Sequence, residues 1–391
     1  MNPLKFIFSA LVPLVFIFSA CQSEEVQEER KLDSDEQIES VTTVYSEQSE
    51  ILEEDATETE EVMETTITIG SIGDILLHER AYILAETEDG YDFTPMLDEV
   101  GDLIKAPDFM MANQESIPGG VDIGLSTYPS FNSPQEIVRD LHYYGVDMFI
   151  GANNHTLDRG MKAVESALDY YDELGVDYVG IYRDTEDRNK DRIVEVEGIT
   201  IGVLAYTYGT NGIPLPENNP DVVALIEEER MKKEIESLRS SVDVLVVHMH
   251  WGDEYARVPN DEQIRLSNML SEQGVDVIFG HHPHVIQPIE MIEQENHKTV
   301  VFYSLGNFYS GQEFDFTDLG GVATIDIIKS QVGEEEEITL DNPLIEPTLV
   351  LRSENNYQVV PFTQTEYTPI SGSTLEEIQS HIELYMEGEV Q

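Results

Sequence analysis

The stretch Ile278-Phe279-Gly280-His281-His282-Pro283-His284 ends an apolar run on three histidines in four positions. Imidazoles at that density make poor core and poor strand; their chemistry is metal ligation or proton transfer. The same coupling of apolar run to polar end recurs along the chain. Residues 66–73 lead to Asp74, with His78 four positions on, and residues 108–112 lead to Asn113 and Glu115. Residues 146–151 lead to Asn153, Asn154 and His155, then Asp158. Residues 242–249 carry His248 and deliver His250, Asp253 and Glu254, and 299–304 deliver Asn307. Six of the ten histidines fall at three of these ends, a concentration that random placement does not give. Carboxylate, amide and imidazole donors meeting at one edge describe a divalent-metal site of borderline hardness. His282 and His284, spaced i, i+2 on an extended segment stiffened by Pro283, face one side and grip one centre while His281 points elsewhere. An Asn ligand beside a free His leaves the amide oxygen for metal and the imidazole for protons. Singly, each residue has an ordinary role: a turn cap for Asp74, a solvated loop for Glu115, a polar patch for His248 and His250. As a set they point to a site.

Positioning such donors requires strands that end together. The runs TTITIGSIGD, DFMMANQE, VDMFIGANNH, ITIGVLAYTY, VDVLVVHMHWG, VDVIFGHHPH and TVVFYSLGNF are short and β-branched or aromatic. Helix signals lie between them. Ser133-Pro134-Gln135-Glu136 reads as a capping box with Pro at the first helical position. Asn260, followed by Asp261, Glu262 and Gln263, opens a helix running to Gln273. Gly145, Gly175 and Gly274 each close a helix and are followed by Val-Asp at the start of a strand. Strand-helix alternation predicts crossover units, a largely parallel sheet and an α/β fold, with chemistry gathered at the strand ends.

The rest of the chain sets the location. Lys5, the apolar run 6–18 and Phe18-Ser19-Ala20-Cys21 read as a signal peptide over 1–20, closing on a lipobox-like Cys21. Acylation there predicts a lipid anchor on the outer face of the cell membrane. Cys21 is the only cysteine, so disulfides and thiolate ligands are excluded from the mature chain. Residues 22–64 hold seventeen Asp and Glu against Arg30 and Lys31, which predicts an extended acidic tether over 21–65. A formal net charge of −57 argues against nucleic acid as a partner, because phosphate binding needs cationic surface. A domain over 66–330 and an extension over 331–391 packing back on it follow. In the extension, Glu334–Glu337 reads as an acidic loop, 339–368 as extended segments and 374–387 as a terminal helix with Leu375, Ile378, Ile382 and Tyr385 on one face.

Several blocks together resemble a known family. Gly73-Asp74-Ile75-Leu76-Leu77, Asn113-Gln114-Glu115, residues 152–160 (ANNHTLDRG), 250–255 (HWGDEY), 280–287 (GHHPHVIQ) and 303–308 (YSLGNF) look like the signatures of CapA proteins. That family is associated with synthesis and export of poly-γ-glutamate capsules and is similar to calcineurin-like metallophosphoesterases. The resemblance implies a four-layer α/β/β/α sandwich of the metallo-dependent phosphatase type. It implies two divalent metal ions (Mn, Fe or Zn) held by Asp74, Glu115, Asn154, His250, His282 and His284, with His281 as a further member. Glu115 would bridge them, where phosphoesterases place Asp. His155 would stay free as a proton donor, with Asp158 three positions on as its acidic neighbour; Gln114 stands where an apolar residue is usual. Such a pair of cations would polarise a phosphoryl or carboxyl oxygen and activate water. The resemblance implies an anionic polymer or phosphoester as substrate and capsule-synthase membrane subunits as partners. Two readings stay open: a hydrolase or transferase, or an accessory lipoprotein that holds polymer through its metals without turnover.

Overall fold

A computed structural model describes residues 62–386 except 334, 354 and 355. The signal peptide, Cys21 and nearly all of the acidic tether lie outside the described residues. Two large sheets carry the chain. The first has the order Tyr357–Pro361, Glu335–Arg352, Leu319–Val332, Val62–Leu76, Phe109–Asn113, Val146–Ile150, Asp177–Val179, and Asn307–Ser310 pairs beside Val62–Leu76. The second runs Ile289–Glu293, Lys298–Phe302, Val277–His281, Val244–His250, Ile199–Thr207, Ile193–Val196. The second sheet is parallel at its centre with an antiparallel hairpin at each edge, and the first is parallel from Val62–Leu76 to its Asp177–Val179 edge and antiparallel from Val62–Leu76 to the other, so the alternation predicts the parallel parts of both.

Alternation within each strand builds the layers, because successive side chains leave a sheet on opposite faces. Val244 and Val246 join Ile69, Met111, Met148, Phe279 and Phe302 in a core between the sheets. Their neighbours Leu245 and Val247 pack instead on Met231, Ile235, Leu266 and Leu270 of helices Glu228–Arg239 and Asp261–Glu272. Met110 and Phe149 meet Val138, Leu141, Val164 and Leu168 of helices Glu136–Tyr143 and Met161–Leu174 on the other outer face. Helices therefore cover both outsides of a face-to-face pair of sheets: the four-layer sandwich. Runs such as Val244–Val247 are apolar throughout because both of their faces are buried.

Several local expectations change. Ser133 is not a helix cap: its hydroxyl donates to the Ser116 and Ile117 carbonyls, and the helix starts at Glu136 behind an uncapped Gln135. Asn260 does form a capping box with Gln263. The extension differs most. A boundary at 330 falls inside strand Leu319–Val332, and Glu335–Glu337 begin an 18-residue strand rather than a loop. Residues 331–391 thus supply two strands of the first sheet, because the apolar faces of Ile345, Leu349, Val359 and Val360 complete cores that the other strands leave open. The first strand likewise starts at Val62, inside the segment read as tether. The terminal helix spans Leu375–Ile382 under a Thr374–Glu377 capping box, and Tyr385 lies beyond it.

Candidate metal centre

Each strand end reaches the same place by a different local device. Asp74 pairs with Asn113 across a register irregularity, and Asn113 Nδ2 donates to Asp74 Oδ1 at 2.7 Å. Past Asn113 the chain is pinned to its neighbours: Gln114 N–H donates to Ile150 O, and Glu115 and Ser116 N–H both donate to Ile75 O. Gln114 earns its polar side chain by donating to Ser116 O at 2.7 Å, which shapes the turn carrying Glu115. The His triplet follows Gly280, where a β-carbon would sit 2.0 Å from Tyr303 O, so only glycine allows that approach.

The convergence of His282 and His284 has another cause than the extended segment read from their spacing. The strand ends at His281, and both residues hold positive φ, 94° and 60°. That strained turn, not strand alternation, aims both rings at one point. Ligand atoms of Glu115, His282 and His284 lie within 4.8 Å of one another, all buried, a grouping that can hold a metal ion.

A continuous file of donors runs through this point. Asp74 Oδ2 is 3.0 Å from His284 Nδ1, and His284 Nδ1 is 3.7 Å from Glu115 Oε2. Glu115 Oε1 is 3.8 Å from His250 Nε2, which is 3.0 Å from Asn154 Oδ1. The Asn154 amide is oriented from behind: its Nδ2 donates to Tyr208 OH and Asn211 Oδ1 at 3.2 and 3.3 Å. His155 stands apart from this file. Its Nδ1 donates to Asp158 Oδ2 at 2.7 Å, and the ring packs edge-on against Phe131 at 4.7 Å. Asp158 is itself held by Phe131 N–H at 2.7 Å.

The electrostatics suit a cation. Burial pushes the Glu115 carboxyl well above its usual range, and nearby Asp74 adds to this against the pull of His284. Burial also works upward on Asp74, yet the hydrogen bond and charge of His284 hold it below the usual range. For His284, burial lowers the value, but Glu115 and Asp74 more than offset this and carry it up to about 9. Burial takes His282 down to about 3 and His281 to about 4. Both oxygens of Glu115 and the Nδ1 atoms of His250, His281 and His282 are buried without a hydrogen-bond partner. Buried polar atoms are normally satisfied, so this many orphans in one place fit an absent divalent ion.

Other sequence candidates have structural duties. Asn153 Nδ2 donates to Gln114 O and Ile150 O, and Asn307 Nδ2 to Gln312 Oε1 and Thr317 O. His78 Nδ1 accepts from Gly311 N–H. Asp253 and Glu254 are exposed. Tyr208 and Asn211 were missed by sequence reasoning, although they follow the 199–207 run as directly as the other donors follow theirs.

The chain matches the family model "Bacterial capsule synthesis protein PGA_cap" over residues 68–312. It is 32% identical over 208 residues to "PGA biosynthesis protein CapA" of Bacillus subtilis, covering 53% of each chain. It is 30% identical to "Capsule biosynthesis protein CapA" of Bacillus anthracis, covering 46% of this chain and 44% of that one. The chain thus spans about half the length of the curated relatives it matches. Among solved structures, a putative 5'-nucleotidase from Staphylococcus aureus aligns with TM-score 0.44 and 15% identity, covering 83% of this chain and 58% of that one. Every block that carries the site, from Gly73 to Phe308, falls inside the matched span, and the chain belongs to the bacterial capsule synthesis protein PGA_cap family.

Proposed function

We propose that this protein uses two divalent cations, Mn, Fe or Zn, to act on an anionic polymer of the poly-γ-glutamate type, or on a phosphoester, during capsule synthesis or export. The observation that carries the reading is the posture of Glu115. Its two oxygens face different histidines, Oε1 toward His250 and Oε2 toward His284, and neither has a hydrogen-bond partner. A carboxylate so placed would hold the cations together with Asp74, His284, Asn154 and His250, and His282 adjoins both histidines. Cations held there supply Lewis-acid polarisation of a phosphoryl or carboxyl oxygen.

The chain's own residues do the rest. Asp158 takes the Nδ1–H of His155, which fixes the ring, so that in the imidazolium form Nε2–H hands its proton to a leaving group and the ring is left neutral. Tyr208 and Asn211 keep the Asn154 oxygen turned inward. Arg159 spends its guanidinium on the Gly124 and Ile123 carbonyls and the Ser126 hydroxyl. With a net charge of −57, recognition of a polyanion therefore falls to the bound cations. Lipid on Cys21 holds the protein at the outer membrane face, beside membrane subunits of a capsule synthase.

The test is turnover by purified, metal-loaded protein on γ-glutamyl polymer and on phosphomonoesters and phosphodiesters, paired with His155→Ala in cells. Turnover that His155→Ala lowers with its metal retained establishes the enzyme. No turnover, with His155→Ala still supporting capsule, makes the protein an accessory that holds polymer through its metals. Fractionation checks the anchor: Cys21→Ser should move the protein from membranes to the medium.

A further inference from the structure

Between the sheets, behind Asp74, lies a file of buried groups that runs from Met111 and His248, which the proposed metal set leaves unused, to His281, which the family resemblance counts as a further member of that set. All three are at most 1% exposed. His248 Nε2 is 3.2 Å from Met111 Sδ, and His248 Nδ1 is 3.0 Å from His281 Nε2. The two rings are parallel to within 5°, as an in-plane bond between them requires. At the far end, His281 Nδ1 has no hydrogen-bond partner and sits 3.7 Å from Asp74 Oδ1.

These contacts decide where the protons are. A thioether sulfur offers only lone pairs, so the hydrogen at that contact belongs to His248 Nε2. A neutral imidazole carries one N–H, so His248 Nδ1 is then an acceptor and the hydrogen between the rings belongs to His281 Nε2. His281 Nδ1 is left as a bare lone pair beside a carboxylate oxygen that also only accepts. Two such acceptors, buried together, have only a cation to share. The opposite arrangement of protons would set the lone pairs of His248 Nε2 and Met111 Sδ against each other at 3.2 Å and give up one hydrogen bond.

We propose that His248 and Met111 are positioning residues that fix the tautomer of His281, so that its Nδ1 is the atom turned to a divalent cation shared with Asp74. The inference rests on the metal-centre reading above and names the ligand atom and its support. A ligating His ordinarily gives its second N–H to a carboxylate or carbonyl, which sets its tautomer. Here a second imidazole takes that part, with a sulfur behind it.

The experiment is Zn²⁺ binding by the full chain, with nitrogen-15 NMR of its histidines. In Zn²⁺-loaded wild type, His248 and His281 should both be Nε2–H tautomers, with His281 Nδ1 coordinated. His281→Ala should weaken Zn²⁺ binding by about 100-fold and His248→Phe by about 10–100-fold, as loss of a ligand's support does. His248→Asn, whose amide oxygen can accept the His281 proton, should recover most of the affinity, and Met111→Leu should cost only a few-fold. An Nδ1–H tautomer on His281 in the loaded protein overturns the proposal, even if His248→Phe fails to fold. So does wild-type affinity in folded His281→Ala while Asp74→Ala has lost Zn²⁺. Wild-type protein that takes up no Zn²⁺ refutes the metal-centre reading itself and this proposal with it.

Discussion

The two ends of the same parallel strands treat their polar groups in opposite ways. Where the strands begin, Asp108, Asp147, Asp243 and Asp276 each accept a backbone N–H from the neighbouring strand, at 2.8, 2.9, 2.7 and 2.7 Å. Asp276 also binds Arg239, whose terminal nitrogens donate further to the Gly274, Val242 and Asp243 carbonyls. Where the strands finish, Glu115 and three imidazole nitrogens are buried with no partner. The difference separates two uses of a carboxylate at a strand end. A satisfied one fastens strands together, whereas an unsatisfied one costs stability and waits for a ligand. Substitutions at the two ends should therefore have effects of different kind.

The largest effect belongs to the unsatisfied end. Glu115→Gln should lower metal affinity by more than about 100-fold, beyond the loss caused by removing a ligand's support, and abolish turnover. It should leave the metal-free protein as stable as wild type or more so, because the buried carboxyl is uncompensated there. Metal analysis and denaturation with and without chelator check both halves; a large loss of stability in the metal-free variant would erase the contrast. Next comes His155→Ala, expected to keep its metal and lose about 10²–10⁴-fold in kcat, the usual worth of a positioned proton donor. Metal leaving with the imidazole would place His155 among the ligands instead.

At the satisfied end, Asp276→Ala removes an acceptor from Arg239 and leaves the buried Leu245 N–H unpaired, and should cost about 1–3 kcal/mol, the usual range for a buried donor left unsatisfied. The loss should be equal with and without metal, measured by urea denaturation. Acid sharpens the comparison further. Burial lowers His78 and His281 to about 4 and His282 to about 3. These folded values lie below the unfolded value of roughly 6.5, so their contribution is complete above that pH and drains away as pH falls toward 4. Stability of the metal-free protein should fall from pH 7 to pH 5, and a flat profile would show that these rings are not held neutral. The smallest effect is expected away from both ends: Asn260→Ala removes a helix cap and should cost about 1 kcal/mol with metal content unchanged.

What was legible from sequence followed from short-range physics. Alternating apolar runs and glycine stops marked the strands and crossover helices, because side-chain period and left-handed caps are local properties. The pairing of polar residues with strand ends marked a wider group of donors, since parallel strands must finish at a common edge, and the family resemblance narrowed it to Asp74, Glu115, Asn154, His250, His282 and His284. Other features were beyond its reach. The strands 335–352 and 357–361 were read as an extension because an edge hairpin with exposed acidic residues has no local mark of the sheet it joins. The aim of His282 and His284 depends on two positive φ angles that the surrounding fold imposes on non-glycine residues. Tyr208 and Asn211 acquire their task only when the sheet that holds the 199–207 strand packs on the sheet whose 146–150 strand leads to Asn154. The contacts of Met111, His248 and His281 join residues 137 and 33 positions apart. Sequence determined which donors the protein owns and near which edge; only the packing of one sheet on the other decided which lone pairs face each other with nothing between them.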